Sequence, residues 1–365
     1  MSEERKRILE MVEKGTISAQ EALTLLEALE KKQASQQDQE KQIFNELVTS
    51  VHEEKGEENS KDSFYSSSKP KDKVMDFVNS ALNKIKNFDF DFQWKHSVEL
   101  SHVFQQADVH LDKIDMDVAN GKVEIIPWDQ QDVRLECQAK VYRTEDREEA
   151  RKQFLENTSF VVENAGLFYS TQLKWMKVDT KVYVPKKHYK KISIRQFNGG
   201  LKAENISVEE FKSKTANGKV FIQHITSEKA EIETSNGAIQ LLDVKADNLD
   251  AESINGKIEV EGDIRYSDVQ SLNGNIVCKL TGEKADTIHS KAVTGNIDIY
   301  VPNGHAVVGE AKSNLGGFKV ELEGINVVEE KNDIVQKHIR FSKNPEADKK
   351  LHIFAETKSG SVLIK

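Results

Sequence analysis

Side chains able to do chemistry are scattered through this sequence instead of gathered. The ten histidines fall in no HExxH, HxH or Cys-His spacing, so no segment supplies the clustered imidazole and thiolate ligands of a zinc centre. There is likewise no GxSxG elbow, no P-loop and no GxGxxG, which leaves nucleophilic and nucleotide chemistry without a motif. The two cysteines, Cys137 and Cys278, each fall on the apolar face of a strand pattern. They read as small buried hydrophobes rather than as a disulfide or a nucleophile. The expectation is a protein without catalytic residues, cofactor or metal.

Two charged sets bear on that expectation. Asp243, Asp263 and Asp286 are the acids available to a polysaccharide lyase or hydrolase, enzymes whose stacked coils carry acidic residues roughly 5–10 Å apart on one outer face. They sit at different offsets from the nearest Asn-Gly pair and so read as solvated surface acids. The second set is basic: Lys174, Lys177, Lys181, Lys186, Lys187, Lys190, Lys191 and Arg195, interleaved with Trp175, Tyr183 and Tyr189. In a chain of net charge −9, such a run is a candidate patch for anionic lipid headgroups or an acidic partner, with Lys174, Lys186, Lys187, Lys190, Lys191 and Arg195 its principal members. Lysine-rich strand edges also arise simply to block aggregation. The acidic balance argues against wholesale nucleic-acid binding, which needs a basic face.

The elements that would carry these groups divide the 365 residues into four stretches, consistent with a prior of about two domains. Residues 1–33 read as a small α-hairpin. Ile8, Leu9 and Val12 form one apolar face and Ala22, Leu23, Leu26 and Leu29 the next; Gly15 closes the first helix, and Ser18-Ala19-Gln20-Glu21 has capping-box spacing for the second. About 30 residues bury too little apolar surface to offset their ordering entropy. Ile8, Leu9, Val12, Leu23 and Leu26 are therefore candidate contacts to a partner or to a second copy. Residues 34–72 are polar and serine-rich, as in a flexible linker, interrupted by a short amphipathic stretch at Ile43, Phe44, Leu47, Val48 and Val51.

Residues 73–97 combine an amphipathic helix pattern (Val74, Phe77, Val78, Leu82, Ile85, with Lys71, Lys73, Lys84 and Lys86 nearby) with a leading strand in which Phe88, Phe90, Phe92 and Trp94 alternate with polar residues. The helix reads either as a cap on the end of a solenoid or as a membrane-surface helix. Residues 98–365 read as almost wholly β, with a charged helical insertion near 145–155. The N-terminus lacks a secretory h-region, and no apolar run approaches the roughly 18 residues needed to span a bilayer. A cytoplasmic protein, peripheral at the inner face of the membrane, is expected.

The β region repeats. Asn198-Gly199, Asn217-Gly218, Asn236-Gly237, Asn255-Gly256, Asn273-Gly274 and Thr294-Gly295 place successive glycines 19, 19, 19, 18 and 21 residues apart, with weaker copies at Asn120-Gly121, Asn314-Leu315-Gly316 and Ser359-Gly360. Residues two and four after each glycine share one face of a strand, and all are apolar: Leu201, Val220, Ile239, Ile258, Ile276 and Ile297, then Ala203, Ile222, Leu241, Val260, Cys278 and Ile299. A unit this short cannot close a core alone, whereas stacked units share one. Asn-Gly tolerates positive φ and can mark sharp coil corners or hairpin turns. The recurrence of the same side chain once per unit favours a β-solenoid of about 19-residue NG-cornered coils. Asn217, Gly218, Asn236, Gly237, Asn255, Gly256, Asn273 and Gly274 are then structural turn residues, with the asparagines stacked as an amide ladder.

These parts together resemble a known family. Gly15-Thr16-Ile17-Ser18-Ala19-Gln20-Glu21-Ala22 in a SHOCT-like hairpin, the polar linker, the NG corners, and the segments Ile126-Pro127-Trp128-Asp129 and Val182-Tyr183-Val184-Pro185 are similar to the YvlB/LiaX proteins of Gram-positive bacteria. Their β-repeat domain is often labelled adhesin-like. The resemblance implies a non-enzymatic role in cell-envelope stress and the response to membrane-active antimicrobial agents, in company with membrane proteins of the phage-shock type. It transfers no catalytic residue. A surface carbohydrate-binding or adhesin-like protein and a peripheral anionic-lipid binder are the alternatives.

Overall fold

A computed structural model describes residues 96–332 and 336–365; the hairpin, the linker and the 73–95 stretch lie outside the described residues. What is described is a β-solenoid with one helix. The chain opens with β1 (Ser97–Gln106), β2 (Lys113–Asn120), β3 (Val123–Trp128) and β4 (Val133–Tyr142), then α1 (Arg147–Glu156). Next come β5 (Thr158–Glu163), β6 (Gly166–Thr171), β7 (Met176–Pro185) and β8 (His188–Asn198). The repeats follow as β9 (Leu201–Asn217), β10 (Val220–Asn236), β11 (Ile239–Asn255) and β12 (Ile258–Asn273). The remaining strands are β13 (Ile276–Leu280), β14 (Thr287–Thr294), β15 (Ile297–Tyr300), β16 (Val307–Ser313), β17 (Phe318–Val320), β18 (Asn326–Asn332), β19 (Lys337–Lys343), β20 (Leu351–Ser359) and β21 (Val362–Ile364).

β9 to β12 are single strands of 16 or 17 residues wound once around the stack and paired in parallel, residue over residue: Val220 on Leu201, Ile239 on Val220, Ile258 on Ile239. β-Branched side chains dominate the inward positions, where they pack well on a pleated surface. Ile222, Ile225, Ala230 and Ile232 of one coil, and their counterparts Leu241, Val244, Leu249 and Ala251 of the next, are all at most 2% exposed. One continuous core therefore runs the length of the stack.

At the central corners the backbone N–H of a glycine donates to the carbonyl of the asparagine one coil on: Gly199 to Asn217 (2.8 Å), Gly218 to Asn236 (2.9 Å), Gly237 to Asn255 (3.0 Å). Glycine is needed here for space. A Cβ on Gly237 would stand 2.0 Å from the Gly218 carbonyl oxygen, and one on Gly218 1.9 Å from that of Gly199. The expected left-handed Asn-Gly corner is corrected: none of Asn217, Asn236, Asn255 and Asn273 has positive φ, nor do Gly218, Gly237, Gly256 and Gly274. Among the corner glycines positive φ is confined to Gly121 (135°), Gly199 (152°), Gly295 (152°) and Gly360 (159°), toward the ends of the repeat; it also appears at a second corner, at Asn205 (58°), His224 (53°) and Asp243 (50°), residue types that adopt this region more readily than most. The 18-residue unit is the coil that drops this residue, its register slipping between Leu241/Val244 and Val260/Gly262.

The stack does not follow chain order at its ends. β2 lies between β6 and β8, and β3 between β7 and β9. At the other end β20 and β21 slot between the earlier coil of β14–β15 and the later one of β16–β17. Antiparallel strands finish both ends: β1, β4 and β5 at the first, with α1 packed against them, and β19 and β18 at the second. Asp146 caps α1 by accepting from the Glu148 N–H, and Phe154 is the buried anchor of the helix.

Replacing Gly237 with Ala should cost about 1–3 kcal/mol, because the added Cβ overlaps backbone that cannot swing away. Asn236→Ala should cost about 1–2 kcal/mol through two lost amide bonds. Lys245→Ala, outward and exposed, should stay within about 0.5 kcal/mol. Urea unfolding of the three variants checks this order.

Candidate interaction surface

The corner asparagines form one ladder. Each Nδ2 donates to the Oδ1 of its neighbour: Asn198 to Asn120 (2.8 Å), Asn217 to Asn198 (2.8 Å), Asn236 to Asn217 (2.9 Å), Asn255 to Asn236 (2.9 Å) and Asn273 to Asn255 (3.0 Å). At the head, Asn120 Nδ2 donates to the Lys174 carbonyl at 3.0 Å. A second column runs just inside. The hydroxyls of Thr215, Thr234, Ser253 and Ser271 donate to the corner glycine carbonyls, and Gln196 takes that role toward Gly121 in the first coil. These polar groups satisfy one another, so the edge does structural work.

The basic set is dispersed, and most of it is paired. Lys174 precedes β7 and Lys186 follows it, and a ten-residue strand holds them roughly 30 Å apart. Lys187 and Lys190 both grip Asp112, at 3.0 and 2.9 Å, and their hydrogen bonds pull its carboxyl down to about 2. Lys191 meets Glu210 at 3.0 Å and Arg195 meets Asp117 at 3.5 Å. Lys186 is exposed and makes no ion pair among the described residues. The acids weighed for a lyase site do not converge: Asp243 faces His224 at 3.4 Å, Asp263 Oδ1 accepts from the Lys284 N–H at 2.9 Å, and Asp286 lies beside Tyr266. Ile8, Leu9, Val12, Leu23 and Leu26 lie outside the described residues.

A different acidic group does assemble, on the outer side of the face that runs into the corner. The register aligns Lys212, Glu231, Asp250, Asp268 and His289 in one column and Lys214, Glu233, Glu252, Gln270 and Lys291 in the next. At its ends the column is neutralised: Lys212 meets Glu231 at 2.7 Å, Lys214 pairs with Glu233, and His289 meets Asp268 at 3.1 Å. In the middle it is not. Burial, reinforced by the Asp268 carboxylate, pushes Asp250 up to about 7; burial and then Asp250 push Glu252 up to about 8. Counting glycine offsets for acids near the corner misses this group. The signal that finds it is the period itself applied to outward positions, since 231, 250 and 268 or 233 and 252 are one coil apart.

Beside the acids, the outermost column before the corner is apolar: Phe197, Ala216, Ile254, Leu272 and Val293, broken by Ser235. An apolar strip flanked by buried charge suits macromolecular contact. Among the described residues no group of three or more His, Cys, Asp or Glu is placed to hold a metal ion. None of their helices is long and apolar enough to cross a membrane.

Asp250 and Glu252 bind protons more tightly in the fold than in the unfolded chain, whose values lie near 3.8 and 4.5. The stability they contribute is complete at acid pH and is lost as pH rises through about 7 to 8. In a chain shortened to residues 96–365, thermal unfolding should therefore show that D250N/E252Q gains stability over the same chain with both acids at pH ~8 and loses that advantage near pH ~5.

The chain is similar to known proteins over its whole length. The sequence pattern described as toastrack DUF4097 matches residues 111–365, and that of a SHOCT-like domain matches residues 3–34. An uncharacterised protein of Bacillus subtilis strain 168, YvlB, is 43% identical over 367 residues, covering 100% of this chain and 99% of its own length. Among solved structures, a candidate adhesin from Bacteroides fragilis covers 75% of this chain and 99% of its own at 14% identity, with a TM-score of 0.40. A candidate lipid binding protein from Parabacteroides distasonis covers 73% of this chain and 96% of its own at 13% identity, with a TM-score of 0.41. Likenesses that distant assign no activity here, and neither matching pattern names an enzyme. With its stacked NG-cornered coils and a match over its entire length to YvlB, the chain belongs to the toastrack DUF4097 family.

Proposed function

We propose that the protein is a non-enzymatic scaffold of the bacterial cell-envelope stress response, acting at the cytoplasmic face of the membrane. The N-terminal hairpin contacts a membrane protein of the phage-shock type, or a second copy of the chain, through Ile8, Leu9, Val12, Leu23 and Leu26. The linker gives reach, and the solenoid is the rigid body that is held in place. Joining a weak site to a second one raises its effective concentration, so modest contacts suffice.

The observation that supports this reading best is the self-sufficiency of the solenoid's polar edge, where amides and hydroxyls are spent on one another down the stack. A surface so built holds shape and offers faces. The envelope-stress assignment draws on family resemblance. Direct lipid binding through the basic set draws less support, because Lys187, Lys190, Lys191 and Arg195 already face carboxylates.

Removing residues 1–33 should abolish capture of membrane proteins from cells treated with an envelope-damaging agent while the β domain keeps its unfolding transition. Unchanged capture by the shortened chain would rule the hairpin out as the contact.

A further inference from the structure

The outer face of β9 to β12 is not completed by the solenoid itself. Its apolar column points away from the core, yet Ala216 is 3% and Val293 7% exposed; beside it Lys214, Glu231 and Glu233 are 9%, 7% and 7% exposed. β10 and β11 pack against their ladder neighbours, and no described element lies across this face. Glu233 Oε2 and Asp250 Oδ1 are buried and accept no hydrogen bond among the described residues. A buried carboxylate in this state calls for a cationic donor, and the column next to it calls for apolar cover.

The chain just ahead of the described residues carries both. Phe88, Phe90, Phe92 and Trp94 alternate, Leu82 and Ile85 precede them, and Lys84 and Lys86 lie among these. This segment also starts from the right place. The His96 carbonyl accepts from the Arg143 N–H at 3.0 Å, and the neighbouring Tyr142 N–H donates to the Trp175 carbonyl at 3.0 Å, next to Lys174, which receives Asn120 at the head of the asparagine ladder. From that head to the Asn255 rung, level with Asp250 and Glu252, is four strand spacings, about 19 Å. Lys86 precedes His96 by ten residues, which span up to about 33 Å when extended. The reach is ample.

We propose that residues 80–94 of this chain lie along the outer column from Phe197 to Val293, with their apolar side chains on that column and Lys84 and Lys86 against Asp250 and Glu252. The face is then occupied in cis. This docking stands independently of the scaffold function, since it concerns only how one molecule covers itself.

Amide hydrogen exchange on the full chain tests it. Residues 80–94 should exchange at least about tenfold more slowly than in a synthetic peptide of the same residues, equally at low and high protein concentration and without lipid. Ile254→Glu should remove the protection. So should K84E/K86E and D250K/E252K separately, whereas combining those two pairs should restore it, which separates lost docking from a damaged fold. Exchange at the peptide rate overturns the proposal. So does protection that fades on dilution, which would mean a second copy, or that appears only with anionic vesicles, which would mean a membrane surface. Protection indifferent to Ile254→Glu and to both charge reversals would place the segment elsewhere.

Discussion

The close backbone approach at the corner governs everything else in this structure. From Gly199 to Gly256 each corner glycine donates to the asparagine carbonyl of the next coil while the carbonyl oxygen of another corner glycine fills the space where its own Cβ would stand. Only a residue without a side chain permits that contact. Once it is made, register follows at every other position: inward isoleucines and valines stack on their counterparts, hydroxyls meet glycine carbonyls, and asparagine amides line up at hydrogen-bond distance. The same constraint forces outward residues into columns, so charges that look dispersed along the chain accumulate in space. Asp250 and Glu252 are pushed toward their protonated forms for this reason.

A parallel stack has a weakness at each end, where an unpaired strand would invite association. This protein meets it by leaving chain order. The antiparallel strands β1, β4 and β5 with α1 close one end, and β19 with β18 close the other. Inserting β20 and β21 between earlier coils also draws the C-terminal residues inside: Leu351, Ile353, Val362 and Ile364 are at most 1% exposed. The final strands thus complete an interior layer, and the last coils depend on contacts distant in sequence.

Much of this was legible in the sequence because a solenoid repeats its local rules. Apolar residues two and four after each glycine identified the inward face, and Cys137 and Cys278 are buried and free, as their strand positions suggested. The order of layers at the ends was not legible, since β2, β20 and β21 carry the same alternation as their neighbours and any of them satisfies a parallel edge. Nor was the second corner, whose residues, Asn205, His224 and Asp243, share a backbone state rather than a side chain. The basic set misled as a unit: adjacency in sequence across β7 separates Lys174 from Lys186, while Asp112, distant in sequence, neutralises Lys187 and Lys190.

Parallel coils and antiparallel hairpins make opposite demands on one pair of outward positions. In the stack, Gln240 lies on Glu259 in adjacent strands, roughly 4.8 Å apart and within disulfide reach. A hairpin turning at Asn255-Gly256 would set Glu252 opposite Glu259 instead. Oxidation of Q240C/E259C should therefore give a rapid intramolecular disulfide with the fold intact, and E252C/E259C should stay reduced. Ready closure of the second pair and none of the first would contradict the stacked-coil architecture.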